Sequence, residues 1–144
     1  MAEIKKVLCA IDFGPMTSKV VDYAKTMCSC LNSKIYLIYV VHSLDAIEQF
    51  SVPKSYREEY EKQMIDQAKA KAQELKEKFF QDRDVEFVLK SGNPAKEILS
   101  FMDSEKIDMV VIGAINKKDI GEFLFGSVGE KVIKLSKVPV VVIK

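Results

Sequence analysis

The sequence is short of the features that mark charged, membrane-spanning or disulfide-stapled proteins. Its 22 Lys and Arg nearly cancel 21 Asp and Glu, leaving a formal charge of +1 over 144 residues. Without a summed positive field a chain gathers neither nucleic acid nor acidic lipid, so neither nucleic acid nor membrane is expected as a partner. No apolar run approaches the ~20 residues that span a bilayer. The N-terminal apolar stretch breaks off into Asp12 with no small-residue cleavage site, and a cytoplasmic location is expected. The three cysteines, Cys9, Cys28 and Cys30, are an odd number set in apolar patterns, the usage of a reducing compartment, and no disulfide is expected. Cys28 and Cys30 stand two apart in a helical pattern, which sends their sulfurs to different sides and argues against a redox pair. The single histidine, His42, has no Cys, His or acidic partners at metal spacing, so no zinc site is read.

Apolar residues make up 48% of the chain. A chain of this length buries roughly two thirds of its unfolded surface, so a core without staples is expected, in one domain over residues 1–144. Five Val- and Ile-rich runs read as strands: Ile4 to Ile11, Lys34 to Val41, Val85 to Leu89, Asp108 to Ile112 and Val138 to Ile143. Their hydrophobicity is nearly continuous rather than alternating, as in strands covered on both faces of a parallel sheet. Four helical patterns lie between them. The first carries Val20, Val21, Ala24, Met27, Cys28 and Leu31 and stops at Asn32. The second steps from Tyr56 to Phe79, with Glu58–Lys62 and Glu74–Lys78 as i,i+4 pairs. The third opens on Asn93 as N-cap with Pro94 behind it and buries Ala95, Ile98, Leu99 and Met102. In the fourth, Ser127 and Glu130 have the spacing of a capping box. Strict βαβαβαβαβ alternation with right-handed crossovers predicts an α/β three-layer sandwich, with a five-stranded parallel sheet in the order 3-2-1-4-5.

Several sharper motifs fail on context. Neither Gly-x-x-x-x-Gly-Lys-Ser/Thr nor Gly-x-Gly-x-x-Gly is present, so neither a P-loop NTPase nor a dinucleotide enzyme is indicated. Asp12-Phe13-Gly14 spells a kinase signature without a glycine-rich loop or catalytic-loop motif to accompany it. Ligands of open α/β sheets bind beyond the carboxyl ends of the strands where the order reverses, here after strands one and four. Those ends are Asp12-Phe13-Gly14 and Gly113-Ala114-Ile115-Asn116. The segment from Gly113 continues through a polar loop to Gly126, Ser127 and Val128, where a helix begins. Unpaired N–H groups and the dipole at a helix start favour anions, and a phosphate fits there. A structural account competes, in which Ser127 only caps the helix and Gly126 only lets the chain turn. Lys117 and Lys118 read as solvated, and Phe123, Leu124 and Phe125 as packing that anchors the loop's end.

Gly113, Asn116, Gly126 and Ser127 together resemble the G-x-x-G, nine-residue, G-S/T nucleotide motif of the universal stress protein family, with Asn116 in place of the second glycine. The strand ending in Asp12, the Gly92-Asn93-Pro94 turn and the closing Val138-Pro139-Val140-Val141-Val142-Ile143 strand extend the likeness over the whole chain. The resemblance implies a Rossmann-like domain, a homodimer through the strand Val138 to Ile143, and ATP, with or without Mg2+, as a regulatory ligand in stress response. Carried over by position, Asp12 contacts the nucleoside, Val40 meets the adenine through its backbone, and Ala10 lies beside them. Ile112 and Gly113 line the ribose, while Asn116, Gly126, Ser127 and Val128 hold the phosphates. Asn tolerates a left-handed turn at position 116. No catalytic residue is assigned, and any hydrolysis is expected to be slow. The alternative reading is a homodimeric interaction module of the same family that works without nucleotide.

Overall fold

A computed structural model describes residues 2–43, 52–117 and 122–144. The chain runs β1 (Lys6–Ala10), α1 (Thr17–Leu31), β2 (Lys34–His42), α2 (Lys54–Phe79), β3 (Glu86–Gly92), α3 (Pro94–Ser104), β4 (Met109–Gly113), β5 (Ile115–Lys117), β6 (Glu122–Leu124), α4 (Ser127–Leu135) and β7 (Val140–Ile143). β3-β2-β1-β4-β7 form one sheet, all neighbours parallel, which is the 3-2-1-4-5 order expected from the alternation. β1 lies at the reversal, its Val7, Leu8 and Cys9 in register with Ile35, Tyr36 and Leu37 on one side and Met109, Val110 and Val111 on the other. All three are fully buried, because helices cover both faces.

The core divides between the two faces. Cys9, Ile11, Val20, Val21, Ala24, Cys28, Leu37, Leu75 and Val111 pack under α1 and α2. Leu8, Tyr36, Ile38, Ile98, Met102, Val110, Ile112 and Val132 pack under α3 and α4. Asn32 ends α1 in the left-handed conformation at φ 53, and the Asn93 side chain accepts from the Lys96 N–H at 3.1 Å to open α3. Both match the stop and start signals in the sequence.

Several expectations are corrected. The polar loop after strand four holds a small antiparallel hairpin, with Ile115 opposite Leu124 and Lys117 opposite Glu122. Asn116 stands in its first strand, opposite Phe123, rather than in a left-handed turn. Lys118 and the side chains of Asn116, Lys117 and Phe123 lie outside the described residues. Phe125 is 44% exposed instead of anchoring the loop's end. On α2 the helical pairs formed are Lys54–Glu58 and Gln73–Glu77, and of its apolar stripe only Ala68 and Leu75 are buried, with Tyr56 61% exposed. A further correction concerns the start of α4 and bears on the site.

Candidate functional site

Ala10, Val40, Ile112 and Val128 come from four different elements, β1, β2, β4 and α4, and share the apolar cluster on the α3/α4 face. β2 outruns β1. The Ile11 N–H donates to the Ile38 carbonyl at 3.0 Å, and β1 has by then left the sheet. Backbone groups of a strand point alternately to its two neighbours, so the Val40 N–H and C=O face the side of β1 beyond its last rung. That edge of peptide is where the resemblance implies an adenine. Strand two ends at His42 rather than Val41, so Val40 sits inside the strand, paired in register with Lys90 of β3.

Asp12 follows the carboxyl end of β1 and is exposed. Its Oδ1 accepts from the Gly14 N–H at 2.7 Å and lies 3.4 Å from the Thr17 hydroxyl, at the first residue of α1. Both contacts use Oδ1; among the described residues Oδ2 accepts no hydrogen bond. The turn depends on Phe13, which takes φ 58, a left-handed conformation rarely adopted by so bulky a residue. Nothing in the sequence marks that position. The Tyr39 phenol beside this turn is pushed above its ordinary value, first by burial and then by the charges of Tyr60 and Asp12.

After β4, two glycines have different reasons to be glycine. A Cβ on Gly113 would stand 2.8 Å from Val20 Cγ2 of α1, so packing alone excludes a side chain there. Among the described residues, a Cβ on Gly126 would meet only the end of the Ile115 side chain, Cδ1 at 3.0 Å. Gly126, at φ −70 and ψ 170, is itself the N-cap of α4 and offers no side chain to the helix start. Ser127 is the first helical residue, one position too late for the capping box expected with Glu130, and no side-chain cap bond forms. The backbone N–H groups that open α4 are therefore not served by a side-chain cap. Gly129 of the same turn comes within 3.6 Å of Ile112 Cδ1, counted from a Cβ built on it, which seats the opening of α4 over the end of β4.

A crease of about 190 Å3 lies elsewhere, under α2, lined by residues that include Leu37, Lys69, Lys76 and Phe87 and none of the predicted site residues. Among the described residues no group of three His, Cys, Asp or Glu side chains is placed to hold a metal, and no helix is long and apolar enough to cross a membrane.

The sequence matches the model of the "Universal stress protein family" over residues 3–144. It is 26% identical over 156 residues to Universal stress protein MJ0577 of Methanocaldococcus jannaschii, covering 97% of this chain and 94% of that protein. The solved structure of MJ0577 superposes with a TM-score of 0.80 at 25% identity, over 99% of this chain and 97% of the other. Universal stress protein UspA from Lactobacillus plantarum superposes with a TM-score of 0.83 at 17% identity, over the whole of both chains. Two further structures share the fold at TM-scores of 0.61: a universal stress protein in complex with cAMP, at 18% identity over 99% and 98% of the two chains, and one from Archaeoglobus fulgidus in complex with dAMP, at 16% identity over the whole of both.

Proposed function

The chain belongs to the universal stress protein family, and we propose that it binds an adenine nucleotide, ATP, as a regulatory ligand in stress response. The observation that carries this reading is the opening of α4, where backbone donors without a side-chain cap sit over the end of β4. Such a start attracts phosphate. Ala10, Val40, Ile112 and Gly113 would take the nucleoside, with Asp12 Oδ2 as acceptor for a sugar or base donor. Asn116, Gly126, Ser127 and Val128 would take the phosphates. The relatives solved with cAMP and dAMP support an adenine nucleotide on this fold. Any Mg2+ would arrive on the phosphates, as no described acidic cluster is built to receive it.

Fast turnover is not part of the proposal. Phosphoryl transfer draws on cations and a positioned base around the transferred group. The two arginines of the chain are Arg57 and Arg83, and Arg83 is spent on Ser29 Oγ at 2.8 Å and on the Ser33 carbonyl. Isothermal titration with ATP and magnesium is expected to show one site per chain. At ligand a hundredfold over Kd, linkage stabilises by about 2.7 kcal/mol, which for a chain of this size raises Tm by roughly 5–10 °C. No heat and no thermal shift at millimolar ATP would overturn the proposal.

A second reading rests on β7. It forms an edge of the sheet, Val140, Val141 and Val142 are only half-buried, and Ile133 and Leu135 of the adjoining α4 are 39% and 57% exposed. An apolar edge strand guarded by Pro139 alone invites pairing. We propose a homodimer through Val138 to Ile143, with or without nucleotide. Light scattering at micromolar concentration is expected to give twice 16.3 kDa; a monomer would remove this reading.

A further inference from the structure

We propose that Phe13 is a positioning residue that ties the Asp12 carboxylate to helix α2, so that the affinity of the site for nucleotide depends on how α2 is docked.

Three observations lead there. Phe13 holds φ 58 between the candidate nucleotide carboxylate and the glycine whose N–H that carboxylate accepts. A bulky residue stays in that region only where its surroundings over-determine it. The surroundings are the ring's own contacts. Its centroid is 4.7 Å from that of Tyr39 on β2 and 6.4 Å from that of Phe87 on β3, and Lys71 Nζ of α2 stands 5.6 Å from it. Tilted aromatic pairs and a cation over a ring each hold the side chain in place. The ring is thus packed on the α1/α2 face, while the residue before it carries the carboxylate beyond the carboxyl end of β1. If the ring is released, a residue other than glycine leaves the left-handed region, the Gly14 N–H turns away from Asp12 Oδ1, and the carboxylate loses its aim.

α2 is suited to be the moving part. Of its 26 residues only Ala68 and Leu75 are buried, so the helix rests lightly on the sheet, and Lys71 lies between those two contacts. Whatever shifts α2 shifts the cation over Phe13. By linkage, nucleotide held at Asp12 must in turn favour the docked position of α2.

The nucleotide part of this inference rests on the function proposed above, and the test separates the two. Without nucleotide, NMR of Phe13→Ala is expected to show the Gly14 amide exchanging faster and moving upfield as its bond to Asp12 is lost, while Phe13→Tyr keeps both. A Gly14 amide indifferent to Phe13→Ala would overturn the positioning role, whether or not nucleotide binds. With ATP, titration is expected to give about tenfold weaker binding for Phe13→Ala, little change for Phe13→Tyr, and an intermediate value for Phe13→Gly, which tolerates the backbone but lacks the ring. In an Asp12→Ala background Phe13→Ala should add nothing, whereas a merely structural role would weaken binding by the same factor in both backgrounds. Hydrogen exchange across residues 64–75 of α2 should slow on adding ATP to the wild type but not to Phe13→Ala. If the wild type binds ATP and α2 is unaffected, the coupling is wrong while the proposed function stands. If the wild type binds no adenine nucleotide, the proposed function falls and takes the coupling with it, leaving the Gly14 result to decide the role of Phe13 in the turn.

Discussion

Helices α3 and α4 pack side by side on one face of the sheet, yet they begin in opposite ways. α3 is finished by its own sequence. Asn93 Oδ1 accepts one of the orphan N–H groups, Pro94 at the first position has none to satisfy, and Glu97 complements the dipole. α4 has Gly126 at the equivalent place, which contributes no side chain, and only Glu130 in its first turn. Both helices are short, both bury an apolar stripe, and both follow a connection from the sheet. α1 and α2 also start without a side-chain cap, so what sets α4 apart from them is where it begins. The open end lies beside β4, at the reversal of strand order where ligands of such sheets bind, and the finished end lies by the edge strand β3.

The largest effect that would break this comparison comes from Gly126→Val. At φ −70 and ψ 170 any residue fits without backbone strain, and among the described residues the new side chain meets only the end of Ile115. Stability should fall by no more than about 1 kcal/mol, the loss of a glycine N-cap, while ATP binding is lost at millimolar concentration. For a site of micromolar affinity that is at least about 4 kcal/mol. A variant that still binds tightly would mean that phosphate does not approach α4 at its opening. Next in size is Gly113→Ala, where the methyl meets Val20, a stiff β-branched side chain only 3% exposed. Overpacking of that kind costs about 1–3 kcal/mol, read as a fall in the urea midpoint with unchanged slope. An alanine variant of full stability would show that Val20 yields to the methyl and that packing does not require glycine at position 113.

The same contrast shows what a sequence can and cannot carry. Strand order followed from alternation and handedness, and the opening of α3 from Asn93-Pro94, because each rests on one local rule acting alone. At α4 two local rules competed for neighbouring residues. Ser127-x-x-Glu130 has capping-box spacing, but Gly126 takes the extended backbone that an N-cap requires, so the serine enters the helix one position too late. The hairpin β5–β6 has no sequence signature because strands of three residues, Ile115–Lys117 and Glu122–Leu124, are too short to show a period. Phe13 is the extreme case. Its left-handed backbone is imposed by Tyr39, Phe87 and Lys71, residues 26, 74 and 58 positions away in the chain, and no local pattern announces it. Of the nine residues assigned to the nucleotide, the four apolar ones, Ala10, Val40, Ile112 and Val128, meet in one cluster because strand order alone puts their elements together.

The smallest effect is the most discriminating, and it sets the two helix starts against each other directly. Asn93→Ala removes a side chain that caps, and an N-cap of this kind is worth about 1 kcal/mol. Ser127→Ala alters a first-turn residue that caps nothing, at a position where alanine is the better helix former, so its stability should stay within a few tenths of a kcal/mol of wild type. In nucleotide affinity the order reverses. Asn93→Ala should be silent, while Ser127→Ala should lose about tenfold, near 1.4 kcal/mol, the worth of one hydroxyl on a charged phosphate oxygen. Urea denaturation and ATP titration of both variants read the four values. If Ser127→Ala destabilises the fold as much as Asn93→Ala and leaves ATP binding unchanged, the serine is a cap after all. The start of α4 would then be as complete as that of α3, with no donor held back for a ligand.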